Sequence, residues 1–203
     1  IHISSRITHY PDQFGLPAFH IRPMDRKQQV SFLTSYIGNS VRSEEILCHI
    51  YRQPGSSHFA GNPILLRIVA EIVQDSDIAL PNGLANLYEL FLRKWFDRER
   101  KKNVVNGTPT LWTFENFESA LALLAFQTRK DGLVSCSNEF AREHIMPIIG
   151  VDHVATFLAQ MAQGLLLKKS RHDDFLQFSH QTIQEYFAAV YLSRHPEALQ
   201  CIL

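Results

Sequence analysis

Apolar residues recur along most of this chain at the spacing of one face of an α-helix. The positions of Val30, Leu33, Tyr36 and Ile37 predict an amphipathic helix over residues 25–37. The same periodicity, with polar capping residues at the starts and glycine or proline at the ends, predicts the remaining helices. These cover residues 43–52, 64–73, 84–102, 113–130, 138–148 and 152–163, and a last helix begins at residue 180.

Extended chain is predicted in short pieces. Residues 133–135 form one piece, and residues 165–169 and 175–179 flank a polar turn and predict a β-hairpin. From residue 112 onward the predicted order is therefore helix, strand, helix, helix, hairpin and helix. That order is typical of a winged-helix domain with an additional C-terminal helix.

The first six residues alternate between apolar and polar like a strand, but no nearby segment is suited to pair with them. A single strand is not stable by itself. The chain also begins without methionine. We therefore expect it to be part of a longer protein whose sheet lies upstream.

A polar segment with Gly107 and Pro109 predicts the boundary between two domains. We divide the chain into the end of an α/β core (1–22), a helical domain (23–102), a linker (103–111) and a winged-helix domain with a C-terminal helix (112–203). The predicted fold class is mainly α: a helical bundle domain precedes the winged-helix domain, and an N-terminal strand is left over from an α/β core.

Composition narrows the choice of function. The 203 residues hold 20 Lys and Arg against 20 Asp and Glu, so no overall field attracts nucleic acid or a membrane surface. No apolar run has the length of a membrane span, and no signal-peptide pattern is present. The three cysteines have no paired spacing, which is typical of reduced thiols, so we expect a cytoplasmic protein.

His180 is the first candidate site residue. It follows the extended run 175–179 and precedes a helix, so free backbone N–H groups and the positive end of the helix dipole would face an anion there. An imidazole at such a corner can contact a phosphate, or it can cap the helix. Composition alone leaves both interpretations open.

Three stretches, taken in order, resemble motifs of the NACHT-type STAND NTPases, the nucleotide-switch ATPases of innate immunity and of bacterial defence and signalling. Ile3-Ser-Ser-Arg6 is similar to the end of the sensor-1 strand, and Gly61-Asn-Pro-Ile-Leu-Leu66 to a motif of the helical domain. Phe178-Ser-His-Gln-Thr-Ile-Gln-Glu-Tyr-Phe-Ala-Ala189 resembles the winged-helix motif. The resemblance covers essentially the whole chain and implies that the N-terminal strand belongs to a P-loop NTPase core.

The resemblance implies three cofactor-binding residues. His180 would approach the β-phosphate of bound ADP, Pro63 would pack near the adenine, and Arg6 would read the γ-phosphate. Taken without the resemblance, His180 is a helix cap, Pro63 is a first-turn proline behind the N-cap Asn62, and Arg6 is a solvated or carboxylate-paired arginine.

The chain lacks the groups that phosphoryl transfer requires. It has no G-x-x-x-x-G-K-[ST] motif and no acidic strand end for Mg²⁺, so both would lie upstream of Ile1. We therefore expect no catalytic residue and no metal ligand in this chain, and an ADP/ATP site with Mg²⁺ in an ATPase parent. The implied partners are the upstream P-loop domain, further copies of the protein on activation, and effector and sensor domains outside the chain.

The function implied is a nucleotide-state switch in defence or signalling. With ADP bound, the winged-helix domain would fold back on the nucleotide core. Exchange to ATP would displace it by shifting the preference between two packings, and the opened protein would oligomerise. Residues 103–111 would be the hinge, unless the pivot lies nearer residues 80–83.

Two other classes of function stay open: a nucleic-acid-binding winged helix and a structural adaptor without nucleotide. The candidate recognition helix, 151–162, holds no Lys or Arg, which disfavours direct reading of DNA. The cationic segment 93–102 could contact nucleic acid or a neighbouring subunit, although such a run is typical of a solvated helix end. The absence of paired Cys/His spacing and of a nucleophile elbow disfavours metal and hydrolase chemistry.

Overall fold

The computed structural model describes residues 22–52, 60–74, 81–108, 110–163, 166–169 and 174–201. Within these ranges the chain is mainly helical and carries a small three-stranded antiparallel sheet. The helices are α1 (Arg26–Ile37), α2 (Ser40–Tyr51), α3 (Pro63–Gln74), α4 (Leu84–Val105), α5 (Phe114–Lys130), α6 (Asn138–Ile149), α7 (Val154–Gln163) and α8 (Gln181–Arg194), and a 3₁₀ helix follows at Pro196–Cys201. The strands are β1 (Cys136–Ser137), β2 (Leu167–Lys169) and β3 (Phe175–Phe178).

Contacts divide the chain into two units, Ile1–Arg67 and Ile68–Leu203, with the division inside α3. In the first unit α1 packs on α2, and the apolar residues of this contact are fully or almost fully buried: Leu33, Ile46, Leu47 and Ile50. The buried amide of Gln29 donates to the Met24 carbonyl (2.7 Å) and accepts from the Tyr51 hydroxyl (2.8 Å). These bonds satisfy the one buried amide among the described residues of this unit.

Two helix starts in the first unit test the predicted bounds. α1 begins as predicted, because Asp25 and Gln28 form a reciprocal capping box. The predicted start of α2 at residue 43 is wrong: Asn39 accepts the backbone N–H of Arg42 (3.0 Å), and the helix begins at Ser40. Glu44 therefore lies in the second turn of α2, where it pairs with Arg26.

The second unit is built on aromatic packing between α4, α5 and α8. Phe117 of α5 is fully buried at its centre, with ring centroids 5.6 Å from Trp95, 5.2 Å from Phe96 and 6.2 Å from Phe187. Such offset and edge-on pairs add to the hydrophobic gain from burial. This cluster fixes the position of α8 within the unit.

The sheet lies in the second unit, in the strand order β1-β3-β2. β2 and β3 pair antiparallel, with Leu167 opposite Phe178, which confirms the predicted hairpin pairing. The predicted extended piece 133–135 is wrong, because the strand is Cys136–Ser137, paired with Leu176 and Phe175. Most of the predicted turn lies outside the described residues, since 170–173 are not among them.

Two more bounds differ from the prediction. α7 begins at Val154 and not at residue 152, because the backbone N–H groups of His153 and Val154 both donate to the Gly150 carbonyl. α4 continues to Val105, so the predicted linker 103–111 begins inside its last turn. The boundary predicted at this linker stays a prediction.

In the ranges described, no single helix has the length and apolar composition that a membrane span needs. The pair α6 and α7 meets that test only jointly and is bent by 113° at its break.

Candidate functional site

The candidate site is the corner between β3 and α8. β3 ends at Phe178, and the Ser179 N–H donates to the Leu166 carbonyl (2.9 Å), which ties the corner to the start of β2. His180 has extended backbone dihedrals (φ −148°, ψ 140°), and the helix begins at the next residue. The strand-to-helix junction predicted from the sequence is confirmed.

His180 is the N-cap of α8. Its Nδ1 accepts the backbone N–H of Thr182 (3.3 Å) and lies 2.9 Å from the Thr182 hydroxyl oxygen. Its carbonyl accepts the N–H groups of Ile183 and Gln184 (3.1 and 3.3 Å). The helix-cap interpretation of His180 is therefore realised in the structure.

This cap determines which imidazole nitrogen carries the proton. A backbone N–H can only donate, so Nδ1 must offer its lone pair, and in the neutral ring the proton then lies on Nε2. A cap made by an imidazole thus has an N–H donor, which a cap made by an ionised aspartate does not have. A phosphate contact and a helix cap are compatible roles for His180.

Apolar burial anchors α8 to the second unit. Ile183 and Phe187 of the predicted stripe are buried, whereas Val190 and Tyr191 are half-buried. The Phe187 ring lies 6.1 Å from the Phe178 ring, which joins the helix to β3 at the corner. His180 therefore precedes a helix that is packed against the rest of the second unit.

Polar bonds also tie α8 to α5, and sequence patterns missed them. The buried Gln184 amide donates to the Thr128 hydroxyl (2.9 Å) in the protein interior. Near the helix end, Arg194 pairs with the buried carboxylate of Glu118. Because a buried amide or carboxylate without a partner is costly, these bonds fix the register of α8 on α5.

Two stacked tyrosines lie beside the corner. The rings of Tyr88 in α4 and Tyr186 in α8 stack with centroids 5.1 Å apart. Burial raises the pKa of both phenols, so both stay protonated at neutral pH. The Tyr88 hydroxyl is fully buried next to the Thr182 side chain, yet finds no partner of normal hydrogen-bond geometry among the described residues.

The other two predicted site residues are Pro63 and Arg6. Pro63 is the first residue of α3 and is exposed, and Asn62 caps that helix by accepting the Ile64 N–H (3.0 Å). Pro63 belongs to the first unit and His180 to the second. Arg6 lies outside the described residues.

The cationic segment of α4 is largely engaged within the protein. Arg93 pairs with Glu89 and lies over the Phe114 ring, Arg98 pairs with Glu71, and Lys102 pairs with Glu99. The Lys94 ammonium donates to the carbonyl of Ile72 (2.6 Å). This pattern is that of a helix bound to its neighbours, and it offers few unpaired cations to a phosphate backbone.

Within the part of the chain that the structure describes, no three His, Cys, Asp or Glu side chains are grouped so that they could hold a metal ion.

Comparison with known proteins gives no family assignment. No family model matches the chain, and no curated protein sequence is significantly similar to it. The resemblance to NACHT-type NTPases therefore rests on the motifs alone.

Proposed function

We propose that this chain is the helical and winged-helix portion of a NACHT-type STAND ATPase, which senses whether ADP or ATP is bound in an upstream P-loop domain. The observation that carries the proposal is the cap at His180. Its Nδ1 accepts a backbone N–H of the first helical turn, so the proton of the neutral ring lies on Nε2, at a helix start where an anion is favoured.

The order of elements supports a winged-helix domain. From α5 onward the elements are a helix (α5), a strand (β1), two helices (α6 and α7) and a hairpin (β2 and β3). In the sheet, the hairpin strand β3 lies between β1 and β2. α8 is the additional helix, and the Gln184–Thr128 and Arg194–Glu118 bonds make it move with α5. A nucleotide contact at His180 would therefore act on the whole winged-helix domain.

The upstream P-loop domain would supply the phosphate cradle and the Mg²⁺ site. This chain would contribute His180 to the β-phosphate and Pro63 to the adenine, and Arg6 would read the γ-phosphate. Neither Walker motif is present here, so we expect no ATP hydrolysis by this chain itself. Release of the His180 contact would let the domain swing away and expose surfaces for oligomerisation.

We infer that residues 103–111 do not form the pivot of this motion. Asn103 donates to Gln160 of α7 (2.9 Å) and to Thr110 (3.2 Å), and Gln160 donates to the Thr108 carbonyl (3.3 Å). These bonds attach the end of α4 to the winged-helix elements.

The alternative of a nucleic-acid-binding winged helix has less support. α7 is the helix that would enter the groove, and its sequence from Val154 to Gln163 contains no Lys or Arg. An adaptor without nucleotide differs from the proposal only in failing to bind ADP, so the same experiment separates the two.

The experiment measures ADP affinity in the natural full-length protein, comparing wild type with His180→Asn. Asparagine keeps a capping oxygen, and its amide nitrogen is bonded to Cγ, so that no donor lies at the position of Nε2. Loss of a hydrogen bond to a charged group, about 1.5–3 kcal/mol, predicts a rise of about 10- to 100-fold in the Kd for ADP.

His195→Asn is the matched control, because His195 is an exposed C-cap at the other end of the same helix. We expect its ADP affinity to equal that of the wild type. Equal affinity for His180→Asn would refute the phosphate contact. Failure of the full-length wild type to bind ADP would refute the switch and leave the adaptor.

A further inference from the structure

A small cavity lies between the end of α4, the segment that follows it, and α7. Its lining includes the polar side chains of Asn103, Thr110 and Gln160 and the indole of Trp112. Trp112 is only 7% exposed, and its indole N–H is buried without a hydrogen-bond partner among the described residues. A buried N–H donor without a partner is costly, so this one calls for an acceptor in the cavity.

The orientation of the two amides beside the cavity follows from their bonds. The Gln160 amide nitrogen donates to the Thr108 carbonyl (3.3 Å), and a carbonyl can only accept. The Gln160 oxygen is therefore the acceptor for Asn103, whose side-chain nitrogen donates to it (2.9 Å) and to the Thr110 hydroxyl oxygen (3.2 Å). These two bonds use both N–H groups of the Asn103 amide.

Three groups on the lining residues are left over. The Asn103 side-chain oxygen, the Thr110 hydroxyl proton and the Trp112 indole proton form no hydrogen bond within the part of the chain that the structure describes. The first is an acceptor and the other two are donors. One water molecule can accept both protons and donate one of its own, which gives it about the three bonds that are typical of a buried water.

The size of the cavity limits what it can hold. The space that it offers to a water-sized molecule is about 10 Å³, which reaches the roughly 10–15 Å³ at which such a cavity holds one water. An organic molecule needs far more space. A cation of the size of water is disfavoured, because the indole of Trp112 can only donate.

We propose that Asn103, Thr110 and Trp112 bind one buried water, which holds the connection between α4 and α5 as a rigid joint. The water accepts from the Trp112 indole and from the Thr110 hydroxyl, and it donates to the Asn103 oxygen. The proposal concerns the joint itself and does not rest on nucleotide binding.

The three groups come from both ends of the connection. Asn103 lies in the last turn of α4, and Trp112 directly precedes Thr113, the N-cap of α5. The Trp112 ring also packs edge-on against Phe157 of α7, with ring centroids 5.0 Å apart. Because the water is bonded at both ends, it closes the connection on itself, and α4 moves together with α5.

The water is tested by NOE and ROE spectra between water and the indole protons of the ¹⁵N-labelled chain of 203 residues. We expect the Trp112 indole proton to show a cross-peak at the water frequency, with the opposite NOE and ROE signs that distinguish a long-lived bound water from proton exchange. The chain has two tryptophans, and Trp112→Phe assigns the signal by removing it.

Thr110→Val separates bound water from the threonine hydroxyl, whose proton could produce the same cross-peak. The cross-peak should persist in this variant, because the water keeps its bonds to Trp112 and Asn103. Absence of the cross-peak in the wild type, or its loss in Thr110→Val, would overturn the proposal. Neither spectrum requires nucleotide, so a failure here is distinct from a failure of the proposed function.

The rigidity of the joint is tested by hydrogen exchange in the same protein. The backbone N–H groups of Asn106 and Gly107 donate to the carbonyls of Lys102 and Val104, so their exchange reports opening at the end of α4. Trp112→Phe keeps an aromatic ring but removes the indole N–H. We expect it to speed exchange at both amides by about 3- to 10-fold, the equivalent of one neutral hydrogen bond. Unchanged rates would overturn the role of the water in the joint.

A double variant shows whether the water connects the two donors. Thr110 and Trp112 share no direct hydrogen bond, so the water is the link between them. We expect the exchange rates in Thr110→Val with Trp112→Phe to be at least about 3-fold below the product of the two single effects. Thr108→Val is the matched control, because Thr108 is exposed and lies outside the cavity lining, and its effect should multiply with that of Trp112→Phe. Independent effects of Thr110→Val and Trp112→Phe would overturn the bridge.

Discussion

Two helix starts in this protein, those of α3 and α8, are capped in the same way by side chains of different chemistry. Asn62 caps α3 by accepting the N–H of Ile64 at 3.0 Å, and His180 caps α8 by accepting the N–H of Thr182 at 3.3 Å. In both, the acceptor lies two residues before its donor. Both side chains keep N–H groups after capping: the asparagine amide has two on Nδ2, which is bonded to Cγ, and the neutral imidazole has one on Nε2, at the far side of its ring.

The supports of the two starts also differ. α8 is held by an aromatic core, by a strand that ends at its corner, and by a buried amide bond to α5. At the start of α3, Leu65 and Leu66 are buried, and the Met24 N–H donates to the Gly61 carbonyl (3.1 Å). A histidine that must present a donor at a fixed place needs the stronger support, and the cap geometry by itself would not supply it.

Removal of a buried side chain from α3 or from α8 gives the largest expected loss in the free energy of unfolding. Phe187→Ala should lower the free energy of unfolding by about 3–5 kcal/mol, and Leu66→Ala by about 2–5 kcal/mol, because both side chains are fully buried. Both tryptophans, Trp95 and Trp112, lie in the second unit, so urea unfolding followed by fluorescence reports that unit.

Hydrogen exchange by mass spectrometry would localise each effect. Phe187→Ala should deprotect α5 and α8, and Leu66→Ala should deprotect α2. If both variants deprotect the same helices to the same extent, the two starts do not have separate supports.

Alkaline pH should lower the stability of the unit that holds the start of α8, because this start is attached to the sheet. Burial raises the pKa of the Cys136 thiol on β1 from 9.0 to about 11, and β1 pairs with β3, which ends at the His180 corner. Because the folded pKa is the higher one, this contribution is complete below pH 9 and is lost as the pH rises toward 11. By pH 10.5 the loss should be about 2 kcal/mol.

The measurement is the free energy of unfolding at pH 8 and pH 10.5, in wild type and in Cys136→Ala. Other groups titrate over the same range, so the informative quantity is the difference between the two proteins. An identical pH dependence in both would mean that the buried thiol does not contribute.

The buried amide bond between α8 and α5 gives a smaller effect. Thr128→Val keeps the shape of the side chain but leaves the Gln184 amide without its partner, which should cost about 1–2 kcal/mol. Thr128→Ser keeps the hydroxyl and should retain most of that stability. Thermal unfolding by circular dichroism compares the two variants, and equal losses would show that packing and not the hydrogen bond matters.

Substitution of the two capping residues has the smallest expected effect on stability and tests the comparison most directly. Asn62→Ala should cost about 1 kcal/mol, and His180→Ala about half of that, because its capping bond is longer. His180→Asn should be at least as stable as the wild type. A large loss of stability in His180→Asn would mean that the imidazole is required for the fold and was not retained for a ligand.

Local patterns predicted the helix starts where one short side chain decides them. Asp25, Asn62 and Ser137 each cap the helix that their position predicted. The start of α2 was predicted wrongly because two capping signals competed, and Asn39 placed the first turn ahead of the acidic residues. β1 was missed because a two-residue strand is defined by its pairing with β3 and not by its own composition.

The sequence by itself determined the helical periodicity, most caps and the corner that carries His180, because these depend on backbone hydrogen bonds between residues at most four positions apart. Only the tertiary structure decided that Gln184 bonds to Thr128, 56 positions away, and that the Tyr88 hydroxyl is buried beside Thr182. The physical reason is burial: a polar group far away in the chain becomes a partner only when packing removes water from both. Sequence motifs suggested the histidine, and packing supplied the contacts that hold its helix on the rest of the unit.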